Sequence, residues 1–171
     1  MILTLALAPT DQARFDRLRA LHFPPKRNHI PAHVTLFHHL PGAHIGAVRD
    51  AILLRSAAQA PFAIAVTGLQ SLGRGTAFTL VSPDLASLRA RLAETWADWL
   101  SPQDRQGFRP HITIQNKVAP SQAHALLASL RAEFSPFSIV AEGLNLWRYR
   151  GGPWEAAGRF PFTPRPPASR S

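Results

Sequence analysis

Short apolar runs alternate with segments whose apolar residues recur every three or four positions, a rhythm that predicts a mixed α and β chain. Residues 2–8 are almost wholly apolar and stop at Pro9, the pattern of a buried strand. Thr10 or Asp11 is placed to cap a helix running to about Leu21, with Phe15, Leu18 and Leu21 at helical spacing. A Pro-rich, basic loop, HFPPKRNHIPA, leads to a strand expected over 32–40 and stopped by Pro41-Gly42. A second helix, over about 44–59, carries Ile45, Val48, Ile52 and Leu53 on one side. Two strands follow, 62–72 and 76–81, joined by the turn Gly73-Arg74-Gly75.

The second half replays this order. Ser82 and Asp84 open a helix whose stripe is Leu85, Leu88, Leu92, Trp96 and Trp99. The polar turn SPQDRQG precedes a strand over 108–116, then a helix over 121–133 and a long strand over 137–148. Gly151-Gly152-Pro153 turns the chain into a last strand over 154–160. Pro61-Phe62-x-Ile64-x-x-x-Gly68-Leu69 returns as Pro136-Phe137-x-Ile139-x-x-x-Gly143-Leu144, and His33-Val34-Thr35-Leu36 returns as His111-Ile112-Thr113-Ile114. Two copies do not make a solenoid. They predict an α+β fold of two pseudo-symmetric β-α-β-α-β lobes, with largely antiparallel sheets flanking a central cleft. The expected domain is 1–162, and the Pro- and Arg-rich remainder, 163–171, is expected to be disordered.

Along a strand the faces alternate, so His33 and Thr35 look one way while Val34 and Leu36 anchor the other, and His111 and Thr113 do the same. Lobes that set these strands side by side bring two imidazoles and two hydroxyls to one groove. Imidazoles titrate near neutrality, so one can take a proton while the other gives one. The hydroxyls of Thr35 and Thr113 can donate to phosphate oxygens where charge grows. That combination suits a phosphodiester and needs neither metal nor cofactor. His29, His38, His39 and His44 do not match a compact metal-ligand spacing and have no acidic residue among them.

Composition narrows the classes. The chain has 171 residues, 46% of them hydrophobic and 17% charged, enough to bury a core. With no cysteine there is no disulfide framework and no thiolate chemistry. No apolar run is long enough to cross a bilayer and the start lacks a signal-peptide pattern. A soluble, cytoplasmic monomer with no membrane partner is therefore expected. The formal charge of +9 favours anionic partners, although all but two of the 19 basic residues are Arg, which codon composition can also produce.

The paired segments in PAHVTLFHHL and FRPHITIQNKV resemble the H-x-T-x motifs of the 2H phosphoesterase superfamily, most of all its 2'-5' RNA ligase-like branch. The resemblance implies a bilobal fold with both motifs lining the cleft. It also implies metal-independent opening of 2',3'-cyclic phosphates at RNA ends or on small cyclic nucleotides. Ligation of 2'-5' RNA ends and a non-catalytic module that binds RNA or phosphate ends are the alternatives. Carried onto this chain, the resemblance makes His33 the acid for the leaving oxygen and His111 the activator of water, with Thr35 and Thr113 holding phosphate. Ligase-like members often place a basic residue soon after the second motif, where this chain has Gln115, Asn116 and Lys117. Charge assistance is therefore sought from Lys117 or Arg109, and Phe37, Arg109, Gln115 and Lys117 are candidate substrate contacts.

Overall fold

The apolar opening run becomes an interior strand because every one of its residues is buried, as β1 (Ile2–Leu7) requires between two neighbours. A computed structural model describes residues 1–151 and 153–163. After β1 come α1 (Pro9–His22), β2 (Thr35–Phe37), α2 (Ile45–Ala57), β3 (Phe62–Ser71), β4 (Thr76–Val81), α3 (Pro83–Thr95), β5 (His111–Gln115), α4 (Pro120–Glu133), β6 (Phe137–Arg148) and β7 (Glu155–Pro161). The strands form one seven-stranded sheet in the order β2-β1-β6-β3-β4-β5, with β7 paired to β6. Every pairing is antiparallel.

The internal repeat explains this order. β3 and β6 pair with Ile64 opposite Ile139, while Phe62 meets Ala141 and Val66 meets Phe137. The two repeated Phe-x-Ile segments therefore run past each other about a pseudo-two-fold axis through the isoleucine pair. Both halves expected from the repeat are present, and each lends its third strand to the other: β6 lies against β1, and β3 against β4. Leu5 faces Leu144 as Phe78 faces Leu69, and both ladders carry a register shift, at Ala6/Leu7 and at Val66/Gly68. One core runs through both halves. In it Phe15 of α1 meets the Phe78 ring edge-on at 5.4 Å, and Phe37 meets Trp96 at 5.0 Å.

Several local expectations give way to tertiary packing. Neither Thr10 nor Asp11 caps α1, which begins at Pro9 without a side-chain cap. The Asp11 carboxylate instead accepts the Val140 N–H at 2.8 Å. Leu21 and Leu53, placed on apolar helix faces by spacing, are 75% and 59% exposed. The third helix ends at Thr95; Trp96 is buried in the bend that follows, and Ala97–Trp99 form a separate 3-10 turn. Ser82 does cap α3, its hydroxyl accepting from the Leu85 N–H at 3.3 Å. The two motif strands are shorter than alternation suggests, so His33 lies just ahead of β2 and residues 108–110 precede β5. At the far end the Thr163 N–H donates to the Gln59 carbonyl at 2.9 Å, so residue 163, expected in the tail, is tied to the fold. The rest of the tail expected to be disordered, 164–171, lies outside the described residues.

Two glycines test the packing in opposite directions. A Cβ at Gly75 would overlap the Gln115 backbone, whereas one at Gly46 in α2 meets nothing within 4 Å. Gly75→Ala is expected to lower the stability measured by urea unfolding by about 1–3 kcal/mol. Gly46→Ala is expected to raise it by up to about 1 kcal/mol. Equal stabilities for the two variants would contradict the close approach of the β3–β4 turn to β5.

Candidate active site

The H-x-T-x segments belong to the two ends of the sheet path, β2 and β5, so the fold must bring those ends together. Helix α1 does much of this through three side chains about a turn apart. Gln12 donates to the Ala32 carbonyl at 2.8 Å, and Asp16 accepts the Ala32 N–H at 2.7 Å. Arg19 donates to the Asn28 side chain at 2.8 Å, to the Ile30 carbonyl at 3.2 Å and, across the cleft, to the Thr113 carbonyl at 3.0 Å. The lead-in to His33 and the strand of the second motif are thus tied to one guanidinium. Helix α3 supplies the counterpart: Arg89 donates to the Leu36 carbonyl of β2 at 2.9 Å and to the Asp104 carbonyl. Both arginines are nearly buried and lie over aromatic rings, Phe23 for Arg19 and Phe37 for Arg89. Burial lowers the pKa of each guanidinium, opposed by the charge of Asp16 or Asp104.

The two motif histidines share one hydrogen-bond device. His33 Nδ1 lies 2.8 Å from the Pro31 carbonyl, and His111 Nδ1 lies 2.9 Å from the Arg109 carbonyl. A carbonyl can only accept, so each Nδ1 carries the hydrogen and each Nε2 is left for the cleft. The surroundings of the two rings differ. Trp154 packs on His33 with ring centroids 4.8 Å apart, and Trp147 backs Trp154 at 6.1 Å. Burial, first of all, pushes the His33 pKa down to about 4; the Pro31 carbonyl opposes this, and the charges of Arg19, His111 and His38 add to it. His33 and His111 therefore feel each other electrostatically. Thr35 and Thr113 are half-buried, and neither hydroxyl is bonded to a protein partner among the described residues.

Two hollows adjoin these residues. Thr35 and His111 line one of about 190 Å³, together with His38, Arg89, Asp104 and Arg109. The other, of about 370 Å³, is lined by Arg19, Phe23, Arg27, His29, Lys117 and Trp154. Arg109 is exposed beside His111, as a substrate contact requires. Lys117 reaches the second hollow, but from a turn with φ of 62°, because β5 has already ended at Gln115. Phe37 is not a cleft residue: it is fully buried, between Trp96 and Arg89. Gln115 also departs from the alternation that places it beside His111. The register shift between β4 and β5 leaves it buried, lining a different hollow with His22, Arg74 and Lys117.

Trp154, Asp104 and the helix arginines carry weight that the sequence pattern does not assign. Pattern places Trp154 only at the start of the last strand, yet it precedes β7 and covers His33. Asp104 sits inside the polar turn before β5 and is nearly buried. The spacing Ser101-x-x-Asp104 is its one local signal, and the Ser101 hydroxyl does donate to it at 3.1 Å. Arg19 and Arg89 are visible as charges set into apolar helix stripes, four residues after Phe15 and Leu85. The loose histidine cluster separates into distinct settings: His38 bonds to Asp104, and His44 stacks on Trp99 at 4.7 Å. Among the described residues no group of three or more His, Cys, Asp or Glu could hold a metal ion, and no helix is long and apolar enough to cross a membrane.

Solved structures with this architecture include TT0787 of Thermus thermophilus, with a TM-score of 0.68 at 18% identity, covering 95% of this chain and 98% of that one. LigT of E. coli in complex with 3'-AMP aligns with a TM-score of 0.60 at 17% identity, over 95% of this chain and 97% of its own. A protein described as a phosphoesterase aligns with a TM-score of 0.59 at 19% identity, with 95% and 97% covered. At these identities the likeness is one of fold. No curated protein matches the sequence. The family model of the 2'-5' RNA ligase superfamily matches residues 7–153, and the chain belongs to that family.

Proposed function

We propose that the protein hydrolyses 2',3'-cyclic phosphates, at RNA ends or on small cyclic nucleotides, by acid-base catalysis between His33 and His111. Membership of the 2'-5' RNA ligase superfamily supports a reaction of the phosphoesterase or ligase class. The observation that carries the rest is the matched tethering of the two rings: each Nδ1 is held by the carbonyl two residues earlier, leaving two Nε2 atoms for the substrate. Thr35 and Thr113 donate to the non-bridging oxygens, where negative charge builds as the phosphorus becomes five-coordinate. Arg109 beside His111, and Lys117 with Arg27 beside Trp154, give the surroundings the positive charge a phosphate needs. The aromatic face of Trp154 suits a base or sugar next to the reacting phosphate.

The proton balance follows from the rings' surroundings. Water attacks phosphorus and gives a proton to a neutral imidazole. The second imidazole, protonated, gives one to the ribose oxygen as its bond to phosphorus breaks, and a phosphomonoester leaves. With its pKa pushed down to about 4, His33 is neutral at pH 7 in the free protein and is the ring prepared to accept the proton. We therefore assign the base to His33 and the acid to His111, the reverse of the roles carried over from the resemblance. That carry-over takes no account of the burial of His33 under Trp154.

Three outcomes are expected. Incubated in EDTA with 2',3'-cyclic nucleotides or a cyclic-phosphate-ended oligonucleotide, the protein forms phosphomonoester, while His33→Ala and His111→Ala each lose about a thousandfold or more of the rate. Absence of turnover by the unsubstituted protein on all of these substrates would overturn the proposal. Thr35→Val and Thr113→Val each cost about 2–4 kcal/mol of transition-state stabilisation, read from kcat/KM. The pH profile of kcat/KM reports the free protein, in which the pair must hold one proton whichever ring is the acid. With His33 as base, kcat/KM holds as pH falls from neutrality and drops only below about pH 4, where His33 becomes protonated.

A further inference from the structure

A third imidazole faces the hollow shared by Thr35 and His111. His38 Nδ1 lies 3.2 Å from Oδ1 of Asp104, whose side chain is 1% exposed against 44% for the His38 ring. The Asp104 carboxylate also accepts the His38 N–H at 2.8 Å, the His39 N–H at 2.9 Å and the Ser101 hydroxyl at 3.1 Å. Burial works to raise its pKa, but these hydrogen bonds, led by the His38 side chain, keep it well below the usual carboxylate range. Asp104 is therefore an ionised group that the two-histidine mechanism leaves without a task.

Anchoring the loop before β5 accounts for the backbone contacts but not for the ring. Both carboxylate oxygens are already bonded by backbone N–H groups and Ser101, and the His38 side chain adds its bond on top of these. The Nδ1 bond leaves Nε2 on the open side, as the carbonyl bonds do for His33 and His111. Here the holding group is an anion. A carboxylate behind an imidazole fixes its orientation, and a phosphate in front would set the ring between two acceptors, one for each nitrogen. Arg89 in the same hollow is committed to two carbonyls and the Phe37 face, and Arg109 stands exposed beside His111.

We propose that His38, oriented by Asp104, is a third phosphate-contacting imidazole of this site, donating from Nε2 to a non-bridging oxygen. The proposal rests on the phosphoesterase reading for its catalytic consequence, but its phosphate contact can be measured without turnover.

The probe is inorganic phosphate, added to the full chain and to His38→Gln, with exposed His124→Gln on α4 as control. His38→Gln keeps the backbone bonds to Asp104, so thermal unfolding is expected at an unchanged temperature. Phosphate binding measured by calorimetry is expected to weaken about tenfold, as loss of a charged hydrogen bond implies. The kcat/KM for a 2',3'-cyclic nucleotide is expected to fall about a hundredfold, with His124→Gln matching the unsubstituted protein in both assays. In the unsubstituted protein, the ring nitrogen resonances of His38 are expected to shift when phosphate is added, a readout that needs no variant. Unchanged His38 resonances, or a His38→Gln protein that binds phosphate and turns over like the original, would overturn the proposal. If phosphate moves the His38 resonances while no cyclic nucleotide is hydrolysed, the hydrolysis reading fails and the phosphate contact stands.

Discussion

The antiparallel pairing of β3 with β6 about Ile64 and Ile139 is the constraint from which the site follows. It joins the two halves along backbone hydrogen bonds, in the centre of the sheet, where a ladder is shielded and each strand is held on both sides. Because the axis passes through this pair, whatever one half presents at its end of the sheet the other presents at the opposite end. The paired motifs lie on β2 and β5 for that reason. The crossing arginines tie these two ends into the core, and Thr35 and His111 come to line one hollow. The arginines are reciprocal: Arg19, from the first half, bonds to the strand of the second motif, and Arg89, from the second half, to the strand of the first.

Much of this could be read from the chain before folding. The repeats of Phe-x-Ile and of H-x-T-x are local, so they survive as letters, and they carried the two-half architecture and the four central residues. Exchange of the third strands was not legible, since β3 would have shown the same alternation beside β4 or beside β1. The strand limits were overdrawn because alternation alone does not show where a partner strand ends. His33 therefore falls on the approach to β2, positioned by Gln12, Asp16 and Arg19 of α1. Phe37 and Gln115 show a further limit. Each obeys a two-residue period counted from its histidine, and tertiary packing or a register shift cancels it. Trp154 and Asp104 are distant in sequence from the residues they serve, and no period or spacing links them to a motif.

Symmetry makes the two histidines equivalent in backbone and tether, and the loops then make them chemically different. Trp154 comes from the segment ahead of β7, a strand that has no counterpart in the first half, and it packs on His33. The loop carrying Asp104 lies beside β5 and bonds to the end of β2, next to His38. One imidazole is thus desolvated, while the other shares its hollow with an oriented histidine and an exposed arginine. A pair of rings related by the pseudo-two-fold thus comes to lie in two different environments, set by these two unsymmetric additions.

The exchanged third strands have a consequence for the half-length unit itself. A chain of one half, β-α-β-α-β with a single histidine motif, holds a third strand whose mates lie in the other half. Its shortest route to a complete sheet is a second copy of itself, giving and receiving that strand in turn. The fold is thus a strand-swapped dimer written into one polypeptide, and the linker from β3 to β4 is the covalent seam that fixes the two copies in a one-to-one ratio.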